Sequence, residues 1–274
     1  MSKNLNYMEY KDEASYFLFS ENKTQKGETH YNTHSHPRYE IMFSAEGGVE
    51  YVVENRRHEL KKGDVLLVKP GLLHFAKRIT CAPSLRYCIG FFPESIENGD
   101  LAKRIFDKGE HFALGRDSVF AELVSALRHK LENSYKNAES FVKNAIDSMI
   151  LSLDDELGDI EQTPKQTDTS LNRVIDYVNA NLTQIKSMDE IAEALFFSKS
   201  YLGHLFKKET GIGIMEYVRN KKVVRARSLI VTGAKPSEVY LECGFSNYPS
   251  FFRAYKAFYG VSPKSKKSVS ETST

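Results

Sequence analysis

The 274-residue chain has three cysteines, no hydrophobic leader and no apolar run long enough to cross a bilayer. Cys81, Cys88 and Cys243 follow no metal-ligand spacing, and three thiols in a chain of this length build no disulfide framework. They read as reduced thiols. Met1, Ser2, Lys3, Asn4, Leu5 and Asn6 open the chain without the apolar core of a signal peptide. No stretch approaches the roughly 20 apolar residues of a membrane span. These absences exclude a secreted disulfide scaffold and a helical membrane protein. The expectation is a soluble cytoplasmic protein with no membrane partner.

Net charge is also scarce, at +2, but it is unevenly placed. From Thr169 onward there are 16 lysines and arginines against 9 acidic residues, +7; the remainder carries 22 against 27, −5. A basic C-terminal part behind an acidic partner suits contact with a polyanion, though a solvated surface alone could carry the same charge. The length suits two domains, each able to bury its own core.

What is present is clearest near the C-terminus. Residues 239–260 read as a short helix, a Gly244-Phe245 turn, and a helix capped by Asn247 with Pro249 in its first turn. Phe251, Tyr255 and Phe258 fall on one face of that second helix, leaving Tyr248, Phe252, Arg253 and Lys256 elsewhere. About fifty residues earlier the pattern recurs. Ser187 and Glu190 have capping-box spacing, and a helix over 188–195 places Ile191, Ala192 and Leu195 inward. Ser198 then caps a helix with Tyr201, Leu202, Leu205 and Phe206 inward, and Ser200, Gly203, His204, Lys207 and Lys208 outward. Gly211 and Gly260 stop the two second helices alike. Each unit is a helix-turn-helix, and a helix over 214–231 joins them as a spacer.

Residues 170–267 resemble the DNA-binding domain of the AraC/XylS family of transcription regulators. The resemblance rests on Ile191-Ala192, Tyr201-Leu202, the run from Phe206 to Gly211, Cys243-Gly244-Phe245, Phe251-Phe252-Arg253 and Gly260-Val261-Ser262-Pro263. Two positions depart from the family pattern: Tyr240, where a small alanine is usual, and Lys222, where an arginine is common. The resemblance implies that each recognition helix enters a major groove, about one turn (~34 Å) from the other. It implies Ser200, Gly203 and His204 as readers in the first unit, and Tyr248, Pro249, Phe252 and Arg253 in the second. Arg253 can bind guanine with two hydrogen bonds, whereas Gly203 has no side chain to read with. Lys199, Lys207, Lys208 and Lys256 suit phosphates, or simply solvent.

Upstream, short strands alternate with turns. A strand at 16–19 opens the ordered part after an N-terminal arm; others are expected at 39–43, 49–54, 57–60, 65–69, 72–77 and 86–92. Strands this short and evenly spaced indicate a sandwich or small barrel. The spacing of His34, His36, Glu40 and Gly47, followed by Gly63, Pro70-Gly71 and His74, resembles the two motifs of a cupin barrel over residues 27–92. Two apolar stripes follow. One comprises Phe120, Leu123, Val124, Leu127 and Leu131; the other Phe141, Val142, Ala145, Ile146, Met149, Ile150, Leu153 and Leu157. Either both helices pack on their own barrel, or they form the dimer interface that the family resemblance implies.

The expected architecture is therefore α+β and multidomain. Residues 1–157 form a cupin-like β-barrel with dimerisation helices, 158–169 a polar linker, 170–267 an all-α domain with two helix-turn-helix units, and 268–274 a polar tail. Alternation along one strand would put His34, His36 and Glu40 on one face, with His74 arriving from another strand. With Arg38, Tyr39 and Tyr51 they suit a small polar effector such as a sugar. The set His34, His36, Glu40 and His74 would also suit iron, manganese or zinc, or would only tie strands together. No cofactor is expected. The leading reading is an effector-responsive regulator binding double-stranded promoter DNA as a homodimer, with RNA polymerase a further partner and no catalysis. The competing one is a metal-dependent cupin enzyme whose tail meets nucleic acid incidentally; metal content and turnover separate the two.

Overall fold

The computed structural model describes residues 7–12, 15–22, 34–54, 56–78, 84–115, 117–133, 136–157, 165–166 and 170–264. Cys81, the tail at 268–274 and all of the expected linker except 165–166 lie outside the described residues. The strands are β1 (Tyr7–Lys11), β2 (Ser15–Asn22), β3 (Tyr39–Ser44), β4 (Val49–Val53), β5 (Arg56–Leu60), β6 (Asp64–Val68), β7 (His74–Arg78), β8 (Ser84–Phe91), β9 (His111–Ala113) and β10 (Lys165–Gln166). The helices are α1 (Gly99–Lys108), α2 (Val119–Asn133), α3 (Ala138–Glu156), α4 (Ser170–Asn181), α5 (Met188–Leu195), α6 (Lys199–Thr210), α7 (Ile214–Val231), α8 (Pro236–Glu242) and α9 (Tyr248–Tyr259).

The strands build two antiparallel sheets, ordered β1-β2-β8-β3-β6-β9 and β10-β5-β4-β7. Side-chain alternation explains why the larger sheet is apolar on both faces. Ile41, Phe43, Val65, Leu67, Tyr87, Ile89 and Phe91 pack against α1, α2 and α3. Their neighbours Met42, Leu66, Val68 and Cys88 face inward with Tyr51, Val53, Leu60 and Ala76 of the second sheet. Each such side chain stabilises the fold by about 1.5–3 kcal/mol when fully buried. Ordered structure begins earlier than residue 16. Asp12 accepts from the Ser15 N–H at 2.7 Å and the Ser15 hydroxyl at 2.9 Å, closing a hairpin between β1 and β2. The sequence pattern also missed α1, β9 and α4. Within the expected linker, Lys165 and Gln166 pair with Arg57 and Arg56 of β5.

Both apolar stripes are mostly spoken for by the chain's own sheet. Phe120, Val124, Leu127 and Leu131 of α2 are buried there, as are Val142, Ile146, Met149, Ile150 and Leu153 of α3 and Leu157 beyond it. Of the stripe residues only Phe141 is exposed, with Val119 of α2 and Leu151 of α3 exposed outside the stripes.

In the C-terminal half the helices start where the caps predict. Ser187 accepts from the Glu190 N–H, Ser198 from the Tyr201 N–H and Asn247 from the Ser250 N–H. Glu190 reaches back to the Lys186 N–H at 2.9 Å, close to the capping-box pattern. The first unit has its core around Val174, Val178, Ile191, Leu202, Phe206 and Tyr217. The second has its own around Val223, Val239, Phe251, Tyr255 and Tyr259. Each core also takes one residue from the N-terminal half: Leu73 in the first, Phe92 in the second.

Candidate functional site: two reading helices and a barrel pocket

On α6, Ser200, His204, Lys207 and Lys208 are exposed, as the face assignment requires. Gly203 is half-buried against α5: a Cβ there would lie 3.6 Å from the Met188 methyl. Tyr201 departs from its expected inward position and is 48% exposed, its ring 5.2 Å from that of Phe197. Lys199 is paired with Asp189 at 2.8 Å. On α9, Pro249, Arg253 and Lys256 are exposed and Phe252 is half-buried. Tyr248 is half-buried. Its ring packs edge-on to Tyr240 and Phe251, 5.8 and 5.7 Å between centroids, and its hydroxyl is buried. The bulk of Tyr240, the position that departs from the family pattern, thus engages Tyr248 inside its own unit. The exposed Arg253 guanidinium donates from Nη2 to the Ser250 hydroxyl oxygen at 3.3 Å.

The barrel holds a cavity of about 310 Å³, and six of the seven residues named for an effector line it: His34, His36, Arg38, Glu40, Tyr51 and His74. They do not arrive as expected. β3 begins only at Tyr39, so His34 and His36 lie before it, and His34 instead bridges the backbone of His74. Tyr39 turns away, onto Phe91 and Phe106. Among the wall residues that were not foreseen are Tyr16 on β2 and Arg86 on β8. The alternation of Phe17 and Phe19 toward the helices was the signal that Tyr16 must face inside.

Glu40 is the hub. It is almost fully buried, accepts from the Tyr16 hydroxyl at 2.6 Å, and faces Nε2 of His36 at 3.1 Å and of His74 at 3.0 Å. Burial pushes its carboxyl up, but the charge and hydrogen bonds of the two imidazoles outweigh that and hold it well below the usual carboxylate range. Burial lowers the His74 value, yet Glu40 more than compensates and the net shift is upward. Geometry agrees. Nδ1 of His74 can only donate to the Leu72 carbonyl, 3.0 Å away, so Nε2, 3.0 Å from the Glu40 carboxylate but outside hydrogen-bond alignment, meets that charge favourably only as the imidazolium. Arg86 donates to the Tyr51 hydroxyl at 2.9 Å, and the Arg38 guanidinium lies over the Phe92 ring at 4.8 Å. Burial pushes the Cys88 thiol in the wall up to about 12, which makes it an inert apolar filler. One nitrogen from each of His34, His36 and His74 lies within 4.8 Å of the others, a spacing that a divalent cation could draw together.

The pocket wall is also the seat of the C-terminal half. Gly71 donates its N–H to the His36 carbonyl at 2.9 Å, and Leu73 sits in the core of the first helix-turn-helix unit. A Cβ on Gly71, whose φ is +75°, would come within 2.6 Å of the Val224 side chain on α7. Glu54, at the end of β4, is buried and clasped from both sides. Its carboxylate accepts from the Leu73 N–H at 3.0 Å, from the Tyr217 hydroxyl, and from Asn179 on α4 at 3.3 Å, with Lys221 at 3.4 Å. Burial first, and then the Glu54 charge, push the Tyr217 phenol far above its usual value, so it remains a proton donor.

Two family profiles match the chain. An AraC-like ligand binding domain matches residues 24–148 and a helix-turn-helix domain residues 191–267. The Msm operon regulatory protein of Streptococcus mutans is 24% identical over 233 residues, covering 82% of each chain. The HTH-type transcriptional regulator YfiF of Bacillus subtilis is 27% identical over 248 residues, 85% of this chain and 78% of that one. The HTH-type transcriptional activator AarP of Providencia stuartii is 29% identical over 94 residues, 34% of this chain and 70% of that one. ToxT of Vibrio cholerae, crystallised with an unsaturated fatty acid, covers 93% of this chain and 95% of its own at 15% identity and a TM-score of 0.39, too loose a likeness to inform the ligand. No described helix is long and apolar enough to cross a membrane.

Proposed function

We propose, from the premise that this chain belongs to the AraC family of DNA-binding transcriptional regulators and is not an enzyme, that a small polar metabolite in the barrel pocket sets how tightly its two reading helices hold promoter DNA. One observation carries the proposal. His74 touches the pocket carboxylate of Glu40, while the residue just before it, Leu73, is seated in the core of the first helix-turn-helix unit. A ligand that moves the His36–Glu40–His74 cluster therefore pulls on the same short segment that carries α7. A cavity of about 310 Å³ is near the lower end of the range for ligand sites, roughly 300–1,000 Å³. Its hydroxyl, imidazole, guanidinium and carboxylate groups suit a sugar-sized polyol through hydrogen bonds and ring stacking.

On DNA, Arg253 is the base reader of the second unit, Ser200 and His204 the weaker readers of the first, and Lys207, Lys208 and Lys256 the phosphate contacts. Val119, Phe141 and Leu151 are the apolar remainder on α2 and α3 through which two copies pair, and RNA polymerase is the further partner at the promoter. The test is a thermal-shift screen of metabolites, followed by DNA-binding titrations with each compound that raises the melting temperature. Hits should change DNA affinity in the wild type. In Tyr217→Phe they should still raise the melting temperature while the DNA response shrinks; an undiminished response would sink the route through Leu73.

A divalent metal is the second reading of the cluster, because three imidazole nitrogens already converge beside Glu40. Near one equivalent of metal by elemental analysis, and a lower melting temperature with a chelator, would establish it.

A further inference from the structure

Lys222 is the one lysine among the buried polar residues of the described chain, with 5% of its surface exposed. It lies on α7 at the point where that helix changes cores. Ile214, Tyr217 and Val218, one to two turns before it, belong to the first helix-turn-helix unit; Val223 and Ala226, just after it, belong to the second. Its ammonium is committed to both. Nζ donates to the carbonyl of Ile185, in the connection before α5, at 2.6 Å, and to the carbonyl of Gly244, in the turn before α9, at 2.8 Å. A second contact joins the same two segments. Gly244 has φ +77°, and a Cβ added there would overlap the carbonyl oxygen of Thr183. The turn of the second unit thus lies directly on the loop that leads into the first.

We infer that Lys222 is a positioning residue that clasps the two helix-turn-helix units into one rigid head, and so fixes the separation and rotation of α6 and α9 on DNA. The physical case has three parts. The two apolar cores are separate and meet only through α7, so hydrophobic packing ties each unit to that helix without joining the units to each other. An ammonium has three donors and no acceptor, so one side chain can hold two carbonyls facing it from different segments. Burial pulls the Lys222 value down from the usual, so the charge is held here at a cost that its bonds must offset. A buried methionine of similar length would fill the space without that cost but would leave both carbonyls unpaired.

The consequence is register. Each added base pair moves the next groove by about 3.4 Å and turns it by about 34–36°. A rigid head tolerates one spacing between the two groove sites; a hinged head tolerates several at lower affinity, because the second contact then gains less from the first.

The experiment uses the full-length protein and duplexes it selects from a random pool, remade with one base pair inserted or deleted between the two contacted grooves. Wild type should lose on the order of tenfold or more in affinity for either altered duplex. Lys222→Met should bind the original duplex more weakly and show a spacing penalty of less than about threefold. Lys222→Arg, which keeps charge and donors, should restore the wild-type penalty. Gly244→Ala, which forces the turn off Thr183, should mimic Lys222→Met. A penalty in Lys222→Met equal to that of wild type would overturn the assignment. So would a wild type indifferent to spacing, a result that stands even if a variant fails to fold.

Discussion

Replacing Tyr217 by phenylalanine removes one oxygen atom from the junction between the barrel and the helix-turn-helix head. That atom donates to a buried carboxylate, and a hydrogen bond to a charged group contributes about 1.5–3 kcal/mol. Glu54 keeps its Leu73, Asn179 and Lys221 partners, so the loss should fall within that range and not beyond it. Glu54→Ala is the harsher change. It leaves the Tyr217 hydroxyl and the partly buried Lys221 ammonium facing an apolar gap, and breaking a buried pair from one side costs about 3–5 kcal/mol. Glu54→Gln with Tyr217→Phe makes the informative cycle, since Gln keeps the shape while the pair loses its charge. Equilibrium urea unfolding of the four full-length proteins, followed by fluorescence and circular dichroism together, measures the coupling and reports whether barrel and head still unfold in one transition. The singles should fail to add by about 1 kcal/mol or more, and coincident transitions should separate. Additivity within about 0.5 kcal/mol would mean that the two groups do not communicate, and the clasp would be refuted.

The DNA face separates into readers and anchors. Arg253→Ala should cost on the order of 1–3 kcal/mol on the selected duplex and relax preference at one base position. Lys208→Ala should weaken specific and random duplexes alike and flatten the salt slope; equal losses on both duplexes for Arg253→Ala would misplace its face. The pocket cluster should have a pH window. The upward shift of His74 gives stability that is complete below its ordinary value of 6.5 and is lost as pH rises through the shifted one. The depressed Glu40 gives stability that is complete above 4.5 and is lost as pH falls through its own. The melting-temperature gap between wild type and His74→Gln should therefore peak between pH 4.5 and 6.5, and a gap constant from pH 4 to pH 9 would contradict the assignment. Residues 169–274 produced alone should bind DNA but melt below the head in the full chain, since each buried side chain lost with Leu73 and Phe92 is worth about 1.5–3 kcal/mol; an unchanged melting point would show that the head does not lean on the barrel.

Local signals in the sequence were enough for the head. Ser187, Ser198 and Asn247 cap helices through hydrogen bonds that span three residues, and Gly211 and Gly260 stop helices through their own left-handed φ. Such interactions are written within a few residues of chain, so spacing and residue type reveal them. Strand alternation likewise gave Glu40 a face of its own on β3, and that face lines the pocket. The convergence of His34, His36 and His74, two of them on Glu40, was legible from motif spacing, although the strand assumed to carry the first two was not there. Tertiary structure decided the rest, because it depends on residues far apart in sequence meeting at one place. Tyr248 packs its ring edge-on to Tyr240, and Tyr201 was left outside a core already filled by Leu202 and Phe206. Glu54 found Tyr217, 163 residues away, and Lys222 found carbonyls on two separate turns. A polar side chain's type states how many hydrogen bonds it must make once buried, but only the packed chain decides which atoms stand within reach.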